Sequence, residues 1–180
     1  MIDRVDRAVE QLVDEILVMD CQSGSVKAME MLVSRWQKRL WRYALNLTGD
    51  TEAAWDITQE SWLGIIKGIR KLNDPARFRT WIYRITTNKA INWINKNKKV
   101  NKVSIEEIHA YRHKDEQDAG VKELLEKLDM KKRVVLNLYY FEQLSVSEIS
   151  VALKIPNGTV KSRLAGARNK LKELYQKHID

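Results

Sequence analysis

LSVSEISVALKIPNGTVKSRLAGARNKL, running from Leu144 to Leu171, decides how the chain is read. Ser145 and Glu148 form an S-x-x-E box. The hydroxyl accepts from the Glu148 amide, and the carboxylate reaches back to the amide of the cap. Ile149, Ala152 and Leu153 then face inward, and Ile155-Pro156-Asn157-Gly158 ends one helix and begins the next. Val160, Leu164, Ala167, Leu171 and Leu174 follow at spacings of four and three and make one buried stripe. Thr159, Lys161, Ser162, Arg163, Arg168, Lys170 and Lys172 are left beside or opposite it. A helix that sets its first residues at base edges and its flanks at phosphates needs this layout. The bland alternative is a helical hairpin with a solvated basic face. Arg163 carries a second alternative, pairing with Glu148 to lock the two helices.

The rest of the chain fits a nucleic-acid partner. Net charge is +8 over 180 residues, which favours an anionic surface. Hydrophobic residues make up 44%, enough for a packed core, while 7 Gly and 2 Pro are too few for a turn-rich β fold. Cys21 is the single cysteine, so no disulfide forms within the chain, and a reducing compartment is expected. No apolar run reaches the length of a membrane helix. Asp3, Asp6, Glu10, Asp14 and Glu15 break any signal-peptide pattern, which places the expected site of action in the cytoplasm.

Apolar periodicity predicts helices over 3–20, 26–47, 50–72 and 76–99. The inward stripe of the first is read as Val5, Val9, Leu12, Val13, Ile16 and Leu17, and Asp50 is the expected N-cap of the third. Residues 100–118 lack periodicity and end in a charge cluster, the signature of a tether. Further helices are expected over 121–128, 131–141, 147–153 and 158–175. The prediction is an all-α protein with two small helical domains, 1–99 and 119–180, joined by a flexible linker.

The stretch PARFRTWIYRITTNKAINWINKNKK, 75–99, is the second informative one. No acidic residue lies between Pro75 and Ser104, and Arg84, Asn88, Asn92, Lys96 and Lys99 recur every three or four residues. Positive charge tracks a phosphate backbone, and flat rings stack on unpaired bases for about 1–3 kcal/mol each. Phe78, Trp81, Ile82 and Ile85 are read as core, while for Tyr83 and Trp93 both core packing and contact with a base stay open.

In order, DITQESW, FRTWIYRITTNKA and LSVSEISVALKIPNGTVKSRL resemble the extracytoplasmic-function (group four) sigma factors of bacterial RNA polymerase. The resemblance covers about residues 19–172. It implies a domain 1–99 like sigma domain two, which binds the β′ clamp helices of core polymerase and opens the −10 element. It implies a domain 119–180 like sigma domain four, which binds the β flap and reads the −35 element. Asp56, Gln59, Glu60 and Trp62 match the polymerase-binding motif. Arg77, Arg79, Trp81, Arg84, Asn88 and Lys89 match the promoter-opening segment, with Lys96 continuing its basic face. The loop RKLNDPAR matches the place where a flipped −10 base is captured. Lys161, Ser162, Ala165 and Gly166 match positions facing −35 bases, although Ala165 and Gly166 replace a larger, often basic pair. Trp55 replaces the usual acidic or small residue before Asp56. The family implies an anti-sigma factor as a further partner, no catalysis, no cofactor and no membrane insertion.

Two other classes compete. A stand-alone helix-turn-helix regulator would need neither the acid-free helix nor the Asp56 stripe. An enzyme acting on nucleic acid would need a site. His109 and His113, near Asp115 and Glu116, are the only metal-like spacing, and they fall in the expected tether.

Overall fold

The computed structural model describes residues 2–100, 125 and 127–179, and every regular element among them is helical. The first module holds α1 (Ile2–Gln22), α2 (Val26–Thr48), α3 (Thr51–Gly68) and α4 (Phe78–Val100). Two short 3-10 turns, Ile69–Lys71 and Pro75–Arg77, join α3 to α4. The second holds α5 (Met130–Leu136), a π turn (Asn137–Phe141), α6 (Val146–Leu153) and α7 (Asn157–Ile179). The expected tether lies, but for Val100, outside the described residues. So do most of the helix expected at 121–128 and the histidine pair at 109 and 113.

Local chemistry sets the boundaries. Ser25 caps α2 by accepting from the Ala28 amide at 3.2 Å, and Asp50 caps α3 by accepting from Ala53 at 2.9 Å. Each such cap is worth about 1 kcal/mol. Gly49 ends α2 in the left-handed conformation at φ 71°. Asp74 accepts from the Ala76 amide and turns the chain at Pro75 into α4. The Ser145–Glu148 box forms as expected, and Lys154, left-handed at φ 54°, stops α6. The stop therefore falls before Pro156, and Gly158 sits in open space inside α7.

α1 is rotated from the expected face. Asp14, Leu17, Val18 and Cys21 point inward, while Val9, Leu12, Ile16 and Met19 are exposed. A polar clamp fixes this rotation. The Asp14 carboxylate accepts from Trp36 Nε1 at 3.1 Å and from Arg35 Nε at 3.0 Å. Burial raises its pKa, and the two donors from α2 oppose that rise. Arg39 adds an ion pair to Glu10 and lies 5.2 Å over the Trp36 ring. α1, which no motif explained, is thus a strut of the first module. Burial pushes the Cys21 thiol up as well, away from a reactive thiolate.

The two modules share one main core, beside a small cluster of Leu125, Leu128, Leu136 and Ala167 that belongs to the second alone. Val134, Val135, Leu138, Leu144, Ile149, Val160 and Leu164 join the buried cluster that contains Trp36, Tyr43, Phe78 and Tyr83. Phe78 and Tyr83 meet Trp36 edge-on, at 6.2 and 6.0 Å between ring centres. Arg133 of α5 donates to the Leu47 carbonyl at 3.0 Å, at the negative end of the α2 dipole. Two modules of this size have thin cores, and packing together buries more apolar surface than either could alone.

Candidate functional site

The buried side of α3 is Ala53, Ala54, Ile57, Thr58, Ser61, Trp62 and Ile65. Asp56, Gln59 and Glu60 are consequently exposed, with the two carboxylates one turn apart. Trp62 departs from the expectation. It is 7% exposed, and its Nε1 has no hydrogen-bond partner among the described residues. It is a core residue, because it falls on the inward side with Thr58 and Ile65. The exposed apolar groups of this helix are Trp55, Leu63 and Ile66. Glu60 pairs with Lys89 of α4 at 2.8 Å, so one residue expected to meet polymerase and one expected to meet DNA hold each other.

α4 carries the basic face. Asn88 and Lys96 are exposed, and Arg84 is half-buried at the rim of a cleft. That cleft, of about 510 Å³, is lined by Lys71, Leu72, Asn73, Asp74, Arg77, Thr80, Trp81, Arg84 and Val151. Its floor is the loop singled out in the sequence. Arg77 is exposed and held by Asp74 at 3.1 Å. Trp81 is half-buried, and a Cβ on Gly68 would stand 2.9 Å from its Cζ2, so the ring needs glycine there. Phe78 and Ile82 are core, as read from the sequence. Tyr83 is core too, at 1% exposure, and is unavailable to a base. Trp93 is half-buried against the same core.

Part of this face is covered by the second module. Arg79 donates to the Glu142 carbonyl, and the Tyr83 hydroxyl donates to the Glu142 carboxylate. Arg7 donates to the Gln143 carbonyl at 2.7 Å and pairs with Glu148 at 3.4 Å. The Glu148 carboxylate is therefore shared between Ser145 and Arg7, rather than given to Arg163. Burial raises the Glu142 pKa, opposed by the Tyr83 hydroxyl and by Arg79, Arg42 and Arg39. Burial also lowers that of Arg79. Burial works against the charge on Glu148 as well, but the Ser145 amide and Arg7 keep its pKa low. No local signal could have revealed this seam, since its partners lie 59 to 141 residues apart.

The outward side of α7 opens with Lys161, Ser162 and Ala165, all exposed, while Val160, Leu164 and Ala167 are buried. Ser162 donates to the Thr159 carbonyl at 3.0 Å. Thr159 and Arg163 are half-buried at the edges. Arg168 is exposed, with its Nε on the Leu164 carbonyl at 3.3 Å. A Cβ on Gly166 would stand 3.2 Å from the Lys132 side chain, so that position turns toward α5.

Two family models match, Sigma-70 region 2 over residues 32–100 and Sigma-70 region 4 over 119–171. The chain belongs to the extracytoplasmic-function sigma factors of the sigma-70 superfamily. It is 27% identical to the RNA polymerase sigma-H factor of Pseudomonas aeruginosa, covering 91% of this chain and 94% of that one. It is also 27% identical to the ECF RNA polymerase sigma-E factor of Haemophilus influenzae, covering 93% and 97%. Its fold matches CnrH in complex with the cytosolic domain of CnrY, with a TM-score of 0.74 and 26% identity over 92% of this chain and 98% of that one. It also matches the sigma factor RpoE of Bartonella quintana, in complex with the anti-sigma factor NepR. The TM-score there is 0.70 with 24% identity over 84% and 98%. As a sigma factor of this type the chain binds core polymerase and directs promoter-specific initiation. None of its described helices is long and apolar enough to cross a membrane.

Proposed function

We propose that this sigma factor divides its work among three surfaces. The outer face of α3, with Asp56, Gln59 and Glu60, docks on the β′ clamp helices of core polymerase. The α4 face and the cleft beside it grip the −10 strand, with Arg77, Arg84, Asn88 and Lys96 tracking phosphates and the half-buried Trp81 edging a seat for an unstacked base. The start of α7, with Lys161 and Ser162, enters the major groove at −35, flanked by Thr159, Arg163 and Arg168 on phosphates. The protein acts in the cytoplasm, has no catalysis of its own and uses no cofactor. The observation that carries this reading is the acid-free α4 face beside an open cleft, on the module that also presents a carboxylate-bearing helix.

With Ala165 small and Gly166 turned toward Lys132, few side chains reach base edges from α7. Duplex shape then contributes to −35 choice. The seam adds an order of events. Arg79 is spent on Glu142 while the modules are packed, and Val151 of α6 walls the cleft. The second module must therefore lift away before the −10 strand is seated, and polymerase, by spacing the two modules, supplies the reason to separate. An anti-sigma factor that stabilises the packed form would keep the DNA face shut.

Multi-round transcription with core polymerase and a promoter library tests the reading. The wild-type chain directs initiation from a defined set of promoters. A chain carrying R84E and K161E binds core but initiates from none of them. Initiation unaffected by both reversals would overturn the assignment of surfaces.

A further inference from the structure

The outer face of α3 carries more than the carboxylates already assigned. Trp55, Gln59, Leu63 and Ile66 are all exposed and follow one another at spacings of four, four and three. That is the spacing of a seam that receives knobs from another helix, and here it runs about 16 Å at 1.5 Å per residue. Single exposed apolar residues are ordinary, but Trp55 at 43%, Leu63 at 57% and Ile66 at 49% form one continuous line. Asp56 and Glu60 flank that line on one side.

Trp55 is held in place before any partner arrives. Its ring lies 5.5 Å from that of Trp41 on α2, tilted by 37°, and Trp41 is itself packed against the core. A side chain fixed in this way loses little rotamer freedom on docking. Its outer face stays open to apolar contact and to a cation from the partner. Tryptophan is also the residue type most enriched among those that dominate binding energy. The buried Trp62 cannot take that part.

The charge of the seam selects its occupant. Lys89 partly offsets Glu60, but a second copy of this chain would still set one Asp56 flank against another, and an anionic membrane would be repelled by that carboxylate. A helix with apolar knobs and a Lys or Arg flank satisfies both features. We propose that Trp55, seated on Trp41, anchors this sigma factor to such a basic-flanked helix of core polymerase, with Leu63 and Ile66 gripping the other end. This rests on the reading of α3 as the polymerase-docking face.

The test is equilibrium binding of the labelled full chain to purified core polymerase at low and high salt. Trp55→Ala is expected to weaken binding about 10-fold or more, while Trp55→Phe stays within about 3-fold of wild type. The Trp55→Ala deficit persists at high salt because it is apolar, whereas the deficit of Asp56→Lys shrinks with screening. The pair L63A and I66A, far from Trp41, gives a second loss of about 5-fold, so the result does not depend on one variant folding. Wild-type binding by Trp55→Ala, or an equal loss with Trp55→Phe, overturns the anchor. If Asp56→Lys still loses binding in that case, the polymerase-docking reading survives without it. If neither Trp55→Ala nor Asp56→Lys changes binding, that reading falls too.

Discussion

α3 and α4 pack side by side in the first module, yet their outer faces are in opposite states. The α3 face stands open, with Trp55, Asp56, Gln59 and Leu63 in solvent. The first turns of α4 lie under the second module, where Glu142 takes the Arg79 guanidinium and the Tyr83 hydroxyl. One helix is ready for its partner, and the other is engaged by a part of the same chain. If α3 meets polymerase and α4 meets unpaired DNA, as proposed, then the protein-binding surface is open in the packed form and the DNA-binding surface has to be released. The release is inexpensive where the contacts are exposed. The Arg7–Glu148 pair has both side chains more than a third exposed, so solvent screening leaves it little net strength.

The largest effect expected is on the α4 side. Reversing Arg84 and Lys96 to Glu is expected to lower promoter opening by about 100-fold, followed by permanganate reactivity of the −10 strand, with core binding within about 2-fold. A parallel loss of core binding would show that the two faces are not separable. Next in size is the seam. Glu142→Arg places a cation among Arg39, Arg42 and Arg79 and is expected to separate the modules. X-ray scattering of the free chain should then show a larger radius of gyration, and the affinity of the free chain for a forked −10 DNA should rise about 5-fold. An unchanged radius together with unchanged DNA affinity would remove the seam as a barrier.

Proton linkage gives a smaller effect. Glu142 has a raised pKa in the packed form and returns to the ordinary range once exposed, so the packed form binds the proton more tightly. Its contribution to packing is fully present below the ordinary carboxylate range and is lost as pH rises through the raised value. Glu148 has the opposite shift, and its contribution is lost only as pH falls through its lowered value. Between those limits, raising the pH through the raised Glu142 value should loosen the modules, and Glu142→Gln should flatten the response in the same scattering measurement. The smallest effect belongs to Gly68. Gly68→Ala forces Trp81 to shift, and a thermal melt should show a loss of about 1–3 kcal/mol. Opening of a promoter should fall with it if Trp81 edges the base site.

Much of this was readable from residue order alone. The capping box at Ser145, the cap at Asp50 and the stripe through Val160, Leu164 and Ala167 rest on interactions within a few residues, so local spacing fixes them. The acid-free run of α4 and the carboxylates of α3 were likewise written in the order of residues. The rotation of α1, the inward turn of Trp62 and Tyr83, and the seam at Glu142 were not. Asp14 chose the α1 face through Trp36 and Arg35, more than twenty residues on. Trp62 and Tyr83 each sit on a helix with apolar residues on both sides, so periodicity left two solutions and packing selected one. Residue order carried the helices, their capped starts and the charge of each face, because these depend on neighbours along the chain. Which rings are buried, and which arginine is already occupied, was settled by packing across the fold. Burial and long-range pairing depend on what lies across the fold, and spacing along one helix carries no record of that.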